Sequence, residues 1–548
     1  MAVPSPLHMP WENTNSSLPS AIPALPRSLN LTANPVPYAI TAILVLAVII
    51  SVNVHSSFRN GHKKIPIFNP KRAFELTATR ARGEFDMRSW DMMYQGGKKY
   101  PDQAFQALTA EIADAVILPP RYINEIKNDS RFSFTATLLK AFHGDMPGFV
   151  AFGIFNQPNR IIQYMAQQDL TRSIQKLSGA LSRETDAALT EMITDSTAWH
   201  EMVAKDIVLP LIARLTTLVF MGPDICHNKE WINISIYFTI QSFLAGRDLA
   251  VWPRWMRPFA NLYLVSQCRA LRALEAKARQ IIDSELEKRR ALKAEAEKNE
   301  VELEFHDALE WYEKQYSKLG GVYDPTATQL GLTFVALHTT TDLLTQVILD
   351  LAEHQELFEP LRNEITDCLK EEGGISKLTI HNMQLLDSVI KESQRVKPVQ
   401  VAAMQRVVLE DVTLSDGIHL KRGSMTGILP QLRDPMVYEN PDEFDGYRFY
   451  RLRQTPGKAN NKWKTAQLVT TSPEHTGFGH GQHACPGRFF AAHEVKIALC
   501  HLLLKYEWKI PEGGAKPQWR AHGNTMNCDD LAKIAIRRRE AGEAEALL

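Results

Sequence analysis

Cys485 lies at the end of the run Phe-Gly-His-Gly-Gln-His-Ala-Cys-Pro-Gly, residues 478–487, a lone thiol in a loop tightened by Gly479, Gly481 and Gly487. Arg488 to Glu494 read as the start of a helix. A thiolate in that place has backbone N–H groups and a positive helix end beside it, which lower a cysteine's pKa. Glycines let the loop approach a flat ligand where a Cβ would collide, and Phe478 can cover the sulfur side of that ligand. A buried structural cysteine in a glycine-rich turn is the plain alternative. Two other stretches carry chemistry. Glu392 and Arg395 are three apart and meet on one helix face, directly after the apolar positions Leu386, Val389 and Ile390. Val-Ala-Leu-His-Thr-Thr-Thr, residues 335–341, sits inside a long apolar pattern. There a threonine ordinarily back-bonds to the preceding turn and a single histidine is ordinarily a satisfied core residue.

The elements that must position these residues are mainly helical. Asp324 as N-cap and Pro325 at the first position open a helix that runs to about Glu353. From Arg80 to Lys318 apolar residues recur at three- and four-residue spacing, broken by the loop His143 to Phe149. Ser284 to Asn299 reads as a solvated charged helix or connection. After Pro398 the chain turns to short strands: Val399 to Gln405 is apolar, hairpin turns fall at 413–417 and 421–423, and Leu531 to Arg537 alternates.

The chain has 548 residues, enough for one large domain or two ordinary ones. Lysine plus arginine and aspartate plus glutamate are 62 each, so no global field points to nucleic acid or an acidic partner. The six cysteines are scattered singly, with no zinc-ligand spacing, which suits a reducing compartment. Residues 1–37 are rich in Pro, Ser and Asn and are expected to be disordered. Residues 38–54 are apolar and long enough for one membrane-spanning helix. A cleaved signal peptide fits less well, because the apolar block starts late and its leading flank is not basic. Arg59, Lys63, Lys64, Lys71 and Arg72 follow the span, so the positive-inside rule puts the N-terminus in the lumen and the remainder in the cytosol. Asn15 and Asn30 then occupy luminal glycosylation sequons. Residues 55–75 are basic and proline-rich and read as a hinge into the remainder, 76–548.

The run from Phe478 resembles the cysteine loop of the cytochrome P-450 family, Phe-x-x-Gly-x-Arg/His-x-Cys-x-Gly; Phe478, Gly481, His483, Cys485 and Gly487 fill all five places. The resemblance implies a mainly α fold with small β-sheets (α+β), haem b lying between the long helix and the cysteine loop. It makes Cys485 the axial ligand of the haem iron and Arg406 a propionate partner, with Val401 to Met404 facing substrate. Residues 335–341 resemble the family's Ala/Gly-Gly-x-Asp/Glu-Thr-Thr segment, where the helix bulges to make room for oxygen. On that alignment Thr339 is the catalytic hydroxyl that meets dioxygen and helps deliver protons, and His338 stands where the acid usually does. Glu392, Arg395 and Arg448 resemble the family's buried Glu-x-x-Arg network, although Tyr447 precedes Arg448 and the usual proline is absent. The Trp-x-x-x-Arg motif that supplies donors to the haem propionates is missing between Gln163 and Glu184; Arg172 and Lys176 are the cations there, and neither is assigned. The loop 143–149 and residues His522 to Met526 resemble substrate-contacting loops.

The implied activity inserts one atom of O2 into a C–H bond of a lipophilic substrate. Electrons come from NADPH through a separate flavoprotein, the NADPH-cytochrome P-450 reductase, at the endoplasmic reticulum membrane, with no role for nucleic acid. The motifs look most like the fungal secondary-metabolism branch, whose substrates include terpenoids, indole diterpenoids and meroterpenoids. The rival functions are a haem-thiolate isomerase or dehydratase that needs no external O2, and a non-catalytic haem sensor.

Overall fold

The helix start expected at Asp324 is made as the sequence dictates. Its side chain accepts the N–H of Ala327 at 3.0 Å, Pro325 follows, and the helix continues to Glu353. The computed structural model describes Thr41 and residues 65–548, apart from 76, 110–113, 158–159, 321–322 and 456–461. All of these except Thr41 belong to one contact unit, Gly61–Leu548. The stretches expected to be a disordered tail (1–37), a membrane span (38–54, Thr41 apart) and the first half of the hinge lie outside the described residues. The second half of the hinge is tied down. Phe68 N–H donates to Gln106 O, and the buried Asn69 amide bonds Ala81 O and Leu108 O.

The helices that frame the site are α1 (Thr79–Lys99), α2 (Thr171–Ile193), α3 (Ala204–Met221), α4 (Lys229–Ala250), α5 (Ser266–Lys298), α6 (Pro325–Glu353), α7 (Gln384–Val396) and α8 (Arg488–Lys505). The charged stretch at 284–299 is the end of α5 and the residue after it; it is mostly exposed beyond Arg289, but Glu285, Leu286 and Arg289 are buried, with Arg289 paired to Glu285 and Asp307. Among the described residues only α6 is long and apolar enough to cross a membrane, and its most apolar window is 78% buried in protein. It is the core helix, enclosed by its neighbours. Leu337, Leu344 and Val347 of α6 join Leu386 and Val389 of α7 and Leu499 and Leu503 of α8 in the main core, all fully buried. Each such side chain contributes roughly 1.5–3 kcal/mol by leaving water.

Among the described residues twelve short strands make four sheets: β1 (Phe105–Ala107), β2 (Ala115–Leu118), β3 (Phe132–Ser133), β4 (His200–Val203), β5 (Ala403–Val408), β6 (Val412–Thr413), β7 (His419–Leu420), β8 (Met425–Ile428), β9 (Tyr506–Lys509), β10 (Arg520–His522), β11 (Thr525–Asn527) and β12 (Lys533–Arg538). The largest has the order β1-β2-β8-β5-β3, and a second has the order β4-β12-β9. β6 pairs with β7 across the predicted turn at 413–417, and β10 with β11 across Gly523. In β5 the register slips between Ala403 and Arg406, where Met404 holds a φ of +49°. Such a bulge turns the side chains that follow it, and Arg406 is one of them. The architecture is mainly α with small β-sheets, as expected.

Candidate functional site

Backbone hydrogen bonds shape the cysteine loop before any ligand is considered. Cys485 N–H donates to Phe478 O at 2.8 Å, and Gly479 and Gly481 take φ values of +67° and +77°. A side chain at 481 would place its Cβ 2.3 Å from Lys127 O. That glycine therefore serves a contact within the chain, whatever it also does for a ligand. The loop is docked on the segment 127–132: Gln482 N–H reaches Lys127 O and Asn128 Oδ1, its side chain reaches Asp129 O, and His483 Nε2–H donates to Phe132 O at 3.2 Å.

Downstream, Gly487 caps α8 and Arg488 begins it. The Arg488 guanidinium spans two carbonyls, Val469 O at 2.9 Å and Cys485 O at 2.8 Å. The electrostatic expectation for the thiol needs correcting. Burial is the largest influence and pushes Cys485 above an ordinary thiol; the N–H groups of Gly487 and Arg488 and the Arg488 charge pull the other way and lose. A bound metal cation would add its own charge to the side that favours the thiolate.

The Glu392 network assembles as the sequence implied. Arg395 forks onto both Glu392 oxygens at 2.8 Å, and Arg448 Nε lies 3.0 and 3.1 Å from the same pair. Arg395 also reaches Leu432 O, Pro441 O and Glu443 O, and Arg448 reaches Glu439 O, Asn440 O and Glu443 O. Both charges of the Glu392–Arg395 pair are fully buried. The sequence reading missed the rest of this face. Asp387 accepts Leu468 N–H, Lys391 gives its ammonium to the carbonyls of Thr465, Gln467 and Thr470, and Gln394 receives His475 Nε2–H. Spacings of four and three put these three on one side of α7, and together they pin residues 465–475, the approach to the cysteine loop. The only hint in the sequence was that spacing. Burial pulls Lys391 down to about 7, against the attraction of Asp387.

Arg406 is 3% exposed and bonds only its neighbour's carbonyl, Gln405 O, at 2.7 Å, with its charge over the Phe134 ring. Its Nη2 has no partner among the described residues, and burial pulls it down to about 10. An unpaired buried guanidinium beside His483, whose own pKa burial and then Arg406 pull to about 4, calls for an anion. Arg172 does not supply a second cation here, since it bonds Gln168 in its own helix turn. Lys176 has no bond to the loop. Arg160 does reach it, donating Nη2–H to Gln482 O at 3.2 Å from a left-handed residue, and no motif flagged it.

On α6, Val335 and Thr339 are exposed while Phe334, Leu337 and Thr340 around them are buried. The expected bulge is absent: the helix runs unbroken, and Thr339 Oγ1–H donates to Val335 O at 2.8 Å. This is the ordinary back-bond of a helical threonine. His338 turns away from that stripe. Its Nε2–H donates to Ile236 O of α4 at 3.3 Å, and burial lowers its pKa to about 4. A neutral ring tied to a backbone carbonyl lacks the geometry for the relay that the alignment implied.

The cytochrome P-450 family model matches residues 233–526. A cytochrome P-450 monooxygenase of Gibberella fujikuroi is 42% identical over 441 residues, covering 80% of this chain and 98% of that protein. The chain belongs to the cytochrome P-450 family. The monooxygenase hepE of Aspergillus oryzae is 40% identical over 87% of this chain and 86% of its own, and TRI1 of Fusarium sporotrichioides 39% over 86% and 85%. A crystal structure of a cytochrome P-450 haem domain superposes with a TM-score of 0.65 at 17% identity, covering 87% of this chain and 98% of that one, and so shares the fold. This cytochrome P-450 is a monooxygenase that carries haem and works with O2, a redox partner and a small-molecule substrate. Its residues fit the group: the thiol of Cys485 suits iron, and the unpaired charge of Arg406 suits the acid side chains of the porphyrin.

Proposed function

We propose that this monooxygenase holds haem b through Cys485 and oxidises a lipophilic natural product, a terpenoid, indole diterpenoid or meroterpenoid, in fungal secondary metabolism. The thiol closed into its loop by the Phe478 carbonyl carries the haem assignment. When bound, the haem supplies oxygen activation that side chains cannot, its thiolate ligand favouring O–O cleavage. The chain's own residues do the rest. Arg406 would hold the acid side chains, His483 ties the loop to Phe132 O, Arg488 fixes the Cys485 carbonyl, and Phe478 and the glycines fit the loop to a flat face. Thr339 presents a hydroxyl on the accessible stripe of α6, where it can orient a proton donor. The lipophilic substrate is supported by an aromatic wall adjoining Val335. Phe142 lies 4.4 Å from Phe152, 4.9 Å from Phe334 and 5.1 Å from Phe243, ring centre to ring centre. Nothing in that wall can pair a charge.

Electrons come from NADPH through NADPH-cytochrome P-450 reductase, with the chain anchored in the endoplasmic reticulum membrane by residues 38–54 and its catalytic domain cytosolic. An isomerase or dehydratase would turn over without NADPH. The reduced, CO-bound protein shows the red-shifted Soret band of a thiolate haem, and Cys485→Ala loses it; retention of that band in the variant overturns the ligand assignment.

A further inference from the structure

The accessible stripe of α6 ends on a carboxylate. Val335, Thr339 and Asp342 are spaced by four and three, which sets them on one helix face with neighbouring side chains in reach. All three are accessible, whereas Leu337, Thr340, Thr341 and Leu343 are buried. Between Leu330 and Thr345 the only ionisable groups are His338 and Asp342, and His338 gives its N–H to α4. Asp342 is gripped from outside α6. Its Oδ1 accepts Cys528 N–H at 2.7 Å, and its Oδ2 meets the ammonium of Lys397. Lys397 is 1% exposed. Beyond it Lys205 and Asp530 form a pair at the surface, 27% and 55% exposed, close enough for both charges to act on Lys397.

We propose that Asp342 and Lys397 form the proton path to Thr339, replacing the acid that this chain lacks at position 338. The inference rests on the proposed role of Thr339. At rest the proton sits on Lys397. Its transfer to Asp342 Oδ2 leaves a neutral amine and a neutral carboxyl. Thr339 Oγ1–H rests on Val335 O and Ala336 O, so the carboxyl's proton reaches Thr339 Oγ1 through one intervening water as that hydroxyl releases its own, and the amine is recharged by solvent at the Lys205–Asp530 pair. No electron moves along this path, and each proton given is replaced. Lys397 meets Asp342 Oδ2 directly, so this first transfer crosses a single hydrogen bond. The same pair also joins α6 to the segment after α7, so a purely structural ion pair is the competing account.

Lys397→Arg separates the two, because a guanidinium keeps the ion pair and cannot give up its proton. In the holoenzyme supplied with reductase and NADPH, the variant keeps the thiolate CO band. Hydrogen peroxide released per NADPH rises about tenfold, well inside what a positioned acid contributes. Asp342→Asn gives the same uncoupling. Infrared spectra of the resting enzyme supply a readout independent of turnover. The carboxylate band identified by its loss in Asp342→Asn persists in Lys397→Arg and shifts in Lys397→Met. Wild-type coupling in Lys397→Arg, or a band indifferent to Lys397→Met, overturns the proposal. If Thr339→Ala uncouples while the Asp342 and Lys397 variants do not, this path alone fails; if Thr339→Ala stays coupled, the reading of Thr339 fails with it.

Discussion

Arg448 and Arg451 are three residues apart, each is ion-paired, and they should differ several-fold in what they contribute to stability. Arg448→Met keeps the length of the side chain and removes its charge. Glu392, which is 0% exposed, loses two contacts at 3.0 and 3.1 Å, and the carbonyls of Glu439, Asn440 and Glu443 lose a donor. Arg395 remains on Glu392, so the carboxylate is half-compensated. Breaking one arm of a buried network costs ~3–5 kcal/mol. Arg451 faces Asp445 with 60% of its side chain exposed, and an exposed pair of this kind is worth ~0–1 kcal/mol. Urea unfolding followed by far-ultraviolet circular dichroism, with the Soret band recorded in parallel, measures both variants. Arg448→Met should also lose the thiolate band at lower urea than the helix signal, because the network fixes the residues leading to the cysteine loop. Equal destabilisation by Arg448→Met and Arg451→Met would refute the argument from burial.

Other outcomes follow from the same structure. Thr339→Ala keeps the thiolate CO band and diverts NADPH electrons to peroxide, measured as peroxide per NADPH; unchanged product yield removes Thr339 from the proton route. His493 and His501 of α8 are buried against the hydroxyls of Ser178 and Ser182 of α2, each at 2.8 Å. Burial lowers their pKa values to about 3 and about 4. Their folded values lie below the ordinary histidine value, so the unfolded chain binds more protons and stability falls as pH drops from about 6.5 toward 4. His501→Gln flattens that slope by up to ~1.4 kcal/mol per pH unit, read from urea unfolding at pH 5 and 6.5. Protease added to sealed microsomes digests the catalytic domain and spares a short N-terminal fragment. Full protection of the domain reverses the assigned topology.

What the sequence determined by itself was local. The five matched positions of the cysteine loop, the Asp324 cap and the Glu392–Arg395 pairing each depend on residues within one loop or one to two helical turns, so their spacing already encodes their geometry. The mainly α architecture followed from periodicity for the same reason. Tertiary structure decided everything that joins distant segments. Gln482 meets Asn128 across 354 residues, Gly481 is required by Lys127, and Lys391 finds its three carbonyls in a loop about 75 residues away. Arg406 is buried with its Nη2 unpartnered because of the segments packed around β5. The sign of the Cys485 shift was also out of reach, since a helix N-terminus can be read from a motif but burial cannot. The same holds for α6, where one stripe of a core helix stays accessible and ends on Asp342. Which face a buried helix leaves open depends on the elements packed around it, and that information lies elsewhere in the chain.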